Sequence, residues 1–512
     1  MKRRMAALLL ALCAASLPAA ARAASIKTVM GLDGEEGRDW ADSAFFPRVQ
    51  AMTGVGIGAF WQYRDDAAYQ DAKRKALAGE APLPDVFFKA DLTPQEELTG
   101  ATDGTLVDVA PLLAEHAPNL STLLDAHPDW RAAITLPDGK IVALPTLATA
   151  ERQVVIWINK NWLDALGLPT PTTPQDYRAA LIAMRDGDPN GNGKRDEIPL
   201  RAVGPWDIKW LQAFFGLAAN DYNIYMDAQG VVRFAPLQPA FGDFLAYAKD
   251  LFREGLLGAD AFGTSNAALA LDDKDALALR MGGLISLAPY TLLNMGQATA
   301  FTALPPMAYE GRTVYRDLQG PVWRGSFAIT RACEDPAAAL RWVDALYTPQ
   351  GGILAWAGLE GEDFAWRDAD HWGFLTQEGM RPESAILTEA LMTGGAAMPG
   401  LQPYDFWGRI DIEAERHVMA ESAKVAPFAA LPAPLVYWDA AQQQRLDTLQ
   451  AVLGPAVDVG IARFVTGETP LDEAHLTAFQ GELRALGADE LTALWQHAQD
   501  AGATPGESFA KP

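Results

Sequence analysis

Cysteine is almost absent: the 512 residues contain two, Cys13 and Cys333. Cys13 lies in an apolar N-terminal run, so Cys333 is the single thiol of the chain that follows. No intramolecular disulfide is then possible even in an oxidising compartment, and stability must come from packing or metal. Histidine is scarce as well, with six scattered side chains (116, 127, 371, 417, 475, 497), none with a second at metal-binding spacing. There is no His-Glu-x-x-His, no paired-cysteine zinc pattern and no Gly-x-x-x-x-Gly-Lys-Ser/Thr phosphate loop. Gly54-x-Gly56-x-Gly58 lacks the dinucleotide spacing and enters a strand-like run. Basic residues are the minority, 41 against 65 acidic, for a formal charge of −24. That field repels a polyanion, which disfavours nucleic acid as a partner. Beyond residue 23 no stretch approaches about 20 uninterrupted apolar residues, so no membrane-spanning helix is expected.

What is present is ordinary globular composition: 49% hydrophobic, 21% charged, with 44 Gly and 34 Pro. The length supports about two or three domains, each able to bury a core. Lys2, Arg3 and Arg4 open the chain, Met5 to Leu17 is nearly continuous apolar sequence, and Ala21-Arg22-Ala23 has small residues where a signal peptidase reads them. Residues 1–23 are therefore expected to be a signal peptide cleaved after Ala23, leaving a still more acidic protein. Leu12, directly before Cys13, is bulkier than the small residue expected at a lipidation site. Cys13 thus reads as one more apolar residue of the signal.

After the signal the order is strand (Ile26 to Leu32), polar loop (33–39), helix into Thr53-Gly54, strand (Val55 to Trp61), helix (Asp65 to Gly79) and strand (Asp85 to Phe88). This β-α-β-α-β pattern predicts a largely parallel sheet with ligands beyond the carboxyl ends of its strands, near loops 33–39 and 89–95. A second α/β unit opens with an extended passage through Ala143 to Asn159. A helix over Lys160 to Leu166 closed by Gly167 follows, then a helix capped by Thr173 with Pro174 in its first turn. Strand-like segments follow at 198–203, 283–287 and 301–306. Phe327 to Thr330 and a helix over Asp335 to Tyr347 could return to the first unit.

The strongest local motif spans residues 188–197. Asp188, Asn190 and Asn192 offer oxygens at alternate positions, Gly193 permits the sharp turn, Lys194 can give its carbonyl, and Asp196 follows. Position 12 is Pro199, so a bidentate carboxylate would have to come from Glu197. The pattern is that of a structural Ca²⁺ loop; a metal-free Asn/Gly surface turn would use the same residue types.

Leu144-Pro145-Thr146, Val155 to Leu163, Gly167-Leu168-Pro169, Pro171 to Pro174 and the Ca²⁺ loop follow one another in order. Further along come Phe327 to Thr330, Gly358 to Phe364, and Phe464-Val465-Thr466-Gly467 through Leu471-Asp472. In this order of motifs the chain resembles an extracellular solute-binding protein (family 1 type) of carbohydrate ABC importers. It is similar within that family to the large Ca²⁺-binding oligosaccharide and alginate-binding proteins. The resemblance implies an α/β, two-lobed periplasmic-binding-protein fold with segments crossing between the lobes. The lobes would comprise 24–145 with 306–350, and 146–305 with 351–512. It further implies Ca²⁺ held by Asp188, Asn190, Asn192, Lys194, Asp196 and Glu197. It implies a periplasmic receptor that closes on an oligosaccharide and hands it to importer permease subunits. The protein is expected to be a monomer and not an enzyme.

Sugars present apolar C–H faces and a rim of hydroxyls, so their clefts need aromatic platforms and forked polar groups. Candidate platforms placed just beyond strands are Trp40, Trp206, Trp210, Tyr290, Trp323, Tyr404 and Trp407. Candidate polar ligands in the same loops are Glu35, Arg38, Lys89, Asp91, Arg152, Asp207, Lys209 and Arg324. Several cations in one cleft of an acidic protein leave open an anionic ligand, uronic-acid or sulfated, beside a neutral one. The rival readings are a secreted polysaccharide hydrolase or lyase, with carboxylates such as Glu35 and Asp91 as acid and base, and a module that presents solute to a membrane sensor.

Overall fold

The computed structural model describes residues 25–149, 154–202, 204–258, 261–262, 277–316, 320–376, 383–392, 398–430 and 436–500. Its two principal sheets are built from β1 (Ser25–Leu32), β2 (Gly56–Tyr63), β3 (Val86–Phe88), β4 (Leu144–Ala148), β5 (Val155–Asn159), β6 (Gly283–Ser286), β7 (Phe301–Ala303), β8 (Val322–Ile329) and β9 (Gly400–Gln402). The first sheet has the order β9-β4-β8-β3-β1-β2 and the second β6-β5-β7. In the first sheet only β8 opposes the common direction, pairing antiparallel with both β3 and β4. The largely parallel sheet and the return strand at 327–330 are both found. In the second sheet both pairings of β5 are antiparallel, and the strand expected over 198–203 is reduced to bridges at Ile198, Leu200 and Arg201.

Local chemistry explains the helices that frame these sheets. Helix α1 (Phe45–Thr53) sends Phe45, Phe46 and Val49 into the first core and ends at Gly54 with φ 73°. Helix α2 (Asp66–Leu77) is capped by Asp65. Helix α3 (Pro94–Asp103) has a full capping box between Thr93 and Glu96, which satisfies two otherwise orphaned amides. Helix α4 (Lys160–Leu166) starts at an Asn159 cap and stops at Gly167. Thr173 and Pro174 open helix α5 (Pro174–Asp186) as the sequence indicates. Helix α6 (Gly204–Lys209) follows the Arg201 bridge.

Two large cores result. One collects Val29, Trp40, Phe46, Phe88, Phe327 and Trp342; the other collects Trp157, Tyr177, Trp210, Phe244, Leu453 and Trp495. The chain passes between the sheets after β4, after β7 and again beyond β9, so segments cross between two units as the resemblance implies.

The expected lobe boundaries differ from this packing in two places. The described residues of 349–402, expected from residue 351 onward in the second lobe, belong with the first sheet: Leu354, Ala355, Met392 and Met398 enter its core, and β9 pairs with β4. The reason is that β4 offers an open edge that β9 covers. Residues 308–316, expected in the first lobe, pack on the second, where the Ile156 amide donates to the Tyr315 hydroxyl at 3.0 Å.

Candidate functional site

The strand directions place the candidate loops. The carboxyl ends of β1 to β4 and β9 and the amino end of β8 lie at one end of the first sheet. In the second sheet, the start of β5 pairs with the end of β6, Val155 opposite Ser286, and the end of β7 lies beside them. The crossings after β4 and β7 leave from these ends, so the loops there flank the passage between the sheets. Helix α6 belongs to the same end, because Arg201 runs parallel to β6.

At the first sheet, Asp33, at the end of β1, gathers the side chains of its loop and of loop 89–91, a role no sequence motif singles out. Its carboxylate is fully buried and accepts from Arg38 Nη1 at 3.1 and 3.2 Å and from Trp40 Nε1 at 2.8 Å. Lys89 Nζ stands 3.4 Å away. Arg38, Lys89 and Trp40 are each at most 1% exposed, which corrects their expected role as ligand contacts. A carboxylate withdrawn from water needs cations and donors around it, and these three side chains are spent on Asp33. Burial, opposed by Asp33, draws the Lys89 ammonium down to about 8. The signal available in the sequence was position: Asp33 directly follows the last residue of an apolar strand.

Loop 89–91 is held in unusual backbone. Lys89 and Asp91 have φ of 51° and 48°, which non-glycine residues adopt only when surroundings impose it. Here Ala90 N–H donates to Ser326 O at 3.0 Å, Tyr69 Oη donates to Ala90 O at 2.6 Å, and Lys73 Nζ to Asp91 O at 2.5 Å. The Asp91 carboxylate stays exposed and accepts from Gln70 at 3.0 Å; Glu35 is half-buried nearby in sequence to the Asp33 cluster. Strand β8 changes register between Trp323 and Phe327. Gly325 makes that possible: its φ is 72°, and a Cβ there would lie 2.2 Å from Leu92 O. Trp323 remains half-buried, while Arg324 donates twice to Val436 O at 3.2 Å and covers the Tyr437 ring at 4.4 Å. Beyond β9, Tyr404 is buried edge-on to Trp356 at 5.7 Å, and half-buried Trp407 lies 5.9 Å from the same ring. Asp405 is exposed and anchored by Thr149 at 2.6 Å.

At the second sheet Trp206 is 43% exposed and stands edge-on to Trp210 at 5.7 Å. Trp210 is buried, with the Arg316 guanidinium 4.8 Å above its ring; this corrects Trp210 from platform to support. Asp207 is buried and Lys209 pairs with Asp458 at 2.5 Å, so neither points a free charge outward. Tyr290 is half-buried against the second core. Arg152 and residues 1–23 lie outside the described residues. An apolar cavity of about 500 Å³ lies elsewhere, lined by Met52, Ile353, Leu359 and Phe364 among others.

The 188–197 loop fits a cation through one feature. Asp188 accepts from the Asn192 and Gly193 amides at 3.0 and 2.9 Å, Asn192 Oδ1 from Lys194 N at 2.7 Å, and Asp196 Oδ1 from Asn192 Nδ2 at 3.0 Å. Gly191 and Gly193 take φ of 68° and 72°. Both Glu197 carboxylate oxygens are buried with no hydrogen-bond partner. A carboxylate so placed calls for a cation or a proton. Among the described residues no group of three or more His, Cys, Asp or Glu side chains is gathered closely enough to hold a metal. The oxygen set would depend on Asn190, Asn192 and the Lys194 carbonyl, donors that Ca²⁺ accepts.

No family model matches the chain. Among solved structures, that of the Streptococcus pneumoniae ABC-transporter substrate-binding protein FusA in complex with kestose aligns over 93% of this chain and 99% of its own, at TM-score 0.72 and 22% identity. This is the fold of the solute-binding proteins. A Bifidobacterium longum solute-binding protein, described as binding HMO and associated with an ABC transporter, gives TM-score 0.78 at 19% identity over 94% of this chain and 99% of its own. The alginate-binding protein AlgQ2 without calcium ion gives 0.67 at 18% over 93% and 98%. In sequence, the chain is 28% identical over 343 residues to the S. pneumoniae fructooligosaccharide substrate-binding protein FusA. That alignment takes in 64% of this chain, and the chain spans 61% of the length of this curated relative. A FusA variant described as an EF-hand mutant, bound to fructo-nystose, matches at 0.72 and 21%, over 93% of this chain and 99% of its own. The resemblance read from the sequence is borne out: these relatives and structural neighbours are described as substrate-binding proteins of sugar ABC transporters and as glycan-binding proteins, not as enzymes.

Proposed function

We propose that this chain is an exported solute-binding protein that captures an oligosaccharide between its two units and delivers it to the permease subunits of an ABC importer. The observation that carries this reading is the match of the fold, over 93% and 94% of this chain, to solute-binding proteins described as in complex with kestose and as binding HMO, beside the 28% identity over 343 residues to a fructooligosaccharide substrate-binding protein. A ligand touching both units favours the closed arrangement by differential affinity, and that arrangement is what an importer reads. The ligand is a neutral oligosaccharide. Arg38, Lys89 and Lys209 are committed to Asp33 and Asp458, and Arg324 to the Val436 carbonyl and the Tyr437 ring. Few of the expected cations are left to meet an anion. Trp206, Trp323, Tyr290 and Trp407 are the platforms, and Glu35, Asp91 and Asp405 accept from hydroxyls. Loop 188–197 takes up one structural Ca²⁺ through Asp188, Asn190, Asn192, the Lys194 carbonyl, Asp196 and Glu197. Residues 1–23 direct export and are removed, leaving a monomer in the periplasm.

The test is a thermal-shift screen of Ca²⁺-loaded mature protein against neutral oligosaccharides including kestose, and against uronic-acid and sulfated ones, with each mixture checked for cleavage. A ligand that binds only the folded state raises the midpoint with concentration. Shifts with neutral sugars and no cleavage support the reading. A shift confined to anionic sugars overturns the neutral assignment, and cleavage overturns the receptor.

A further inference from the structure

Three consecutive residues just before the long helix Ala440–Thr466 are divided between the two units. Trp438 is 5% exposed, lies in the second core and packs edge-on to Trp495 at 5.1 Å; Val436 packs on the same core. Tyr437, between them, packs instead against a cluster of the first unit that contains Met30, Leu32, Tyr69, Phe87 and Ala328. Its hydroxyl donates to Glu97 Oε2 on α3 at 2.6 Å. Arg324 of β8 stacks on its ring and donates to the Val436 carbonyl. No strand pairing ties 436–438 to the first unit among the described residues. One tyrosine and one arginine make the grip, and side-chain contacts of this kind can release without unfolding a sheet.

We propose that Val436–Tyr437–Trp438 is a clasp holding the two units together, and that Glu97 makes its grip respond to acidity. Glu97 is 1% exposed, and its second oxygen, Oε1, is buried without a hydrogen-bond partner. The groups facing it are Tyr437 from the clasp, Arg324 from β8, and Glu96 on its own helix, the last paired with Lys73 of α2 at 3.0 Å. Burial outweighs the Tyr437 hydrogen bond and the Arg324 charge and pushes the Glu97 carboxyl up to about 7. With the clasp released, Glu97 meets water and returns towards the ordinary 4.5. The engaged form therefore holds a proton that the released form gives up between those two values, and acid favours engagement. From pH 8 to pH 6 the ratio of engaged to released clasp rises about tenfold. The effect of this on sugar affinity rests on the proposed receptor function; the clasp itself does not.

The experiment uses the full mature chain without ligand. Hydrogen exchange of the amides of 436–440, corrected for the intrinsic pH dependence of exchange, is compared at pH 6 and pH 8 in wild type, Glu97→Gln and Tyr437→Phe. Wild type is expected to exchange about tenfold more slowly at pH 6, and Glu97→Gln, a neutral isostere, to be equally slow at both pH values. Tyr437→Phe removes the donor that favours the ionised carboxylate, and moves the wild-type midpoint upward. A wild type with no pH dependence overturns the proposal. So does a Glu97→Gln variant that keeps the full dependence, since another group would then be titrating. Kestose affinity over the same range, measured separately, shows whether the clasp reaches the ligand; its failure alone overturns only the link to affinity.

Discussion

Replacing Trp206 by alanine separates binding from stability. A tryptophan carries about 150 to 250 Å² of burial on folding or binding, and Trp206 keeps 43% of its surface exposed, which leaves about 100 Å² for a ligand. At about 25 cal/mol per Å² that surface is worth about 2.5 kcal/mol if fully covered. A sugar ring covers one face, so about half, near 1.2 kcal/mol, is lost on truncation, or roughly a tenfold weaker Kd. The folded state loses an edge-on contact with Trp210 at 5.7 Å, worth about 0.5–1.5 kcal/mol. Isothermal titration with a sugar selected by the screen, beside a thermal melt, reads both quantities. The expectation is a weakened Kd with a melting midpoint lowered by no more than a few degrees. An unchanged Kd refutes the assignment of Trp206 as a platform, and a collapse in midpoint refutes the claim that its exposed face is unused by the fold.

Trp40→Ala should act in the opposite way: the ring is fully buried and donates to Asp33, so about 3–5 kcal/mol of stability is lost, visible in urea denaturation. Gly358→Ala is expected to cost at least about 2 kcal/mol in the same assay, because Gly358 has φ 85° and a Cβ would lie 2.4 Å from the Asp363 carboxylate that Arg48 holds at 2.5 Å. Millimolar Ca²⁺ should stabilise chelator-treated protein by about 2.7 kcal/mol at a hundred times Kd, read as a raised melting midpoint, and Glu197→Gln should abolish most of that rise. Glu97, raised from 4.5 to about 7 by burial, contributes stability fully present below pH 4.5 and lost as pH climbs through 7. The contribution is at most about 3 kcal/mol, and comparing Glu97→Gln with wild type in pH-dependent denaturation isolates it.

The elements were legible wherever local chemistry decides them. The caps at Thr173 and Gly167, the alternation from Ser25 to Phe88 and the return at Phe327 are all properties of a few adjacent residues. The candidate site was legible only as far as which loops stand beyond which strands. Whether a side chain in such a loop faces outward depends on partners far along the chain, and a strand pattern is silent about those. Trp40 and Lys89 looked like ligand contacts because their loop position is right, yet Asp33 turns both inward. Lys209 finds Asp458, and Arg324 finds Val436, across separations that no periodicity encodes. The unit boundaries differ for the same reason: Gly400-Leu401-Gln402 carries no strand pattern of its own until β4 supplies the edge it covers.

The first sheet draws strands from residues 25–88, 144–148, 322–329 and 400–402. A chain made from its N-terminus thus completes the second sheet, at residue 303, about a hundred residues before the first one can close. Until β8 arrives at 322–329 the free edges of β3 and β4 stay unpaired, and the outer edge of β4 waits further for β9, a state that favours aggregation or capture by a chaperone. High sequence separation of this kind slows folding, and if the chain is exported as proposed, slowness has a use: the half-made protein stays threadable. A fragment ending near residue 150 would keep the waiting edges permanently.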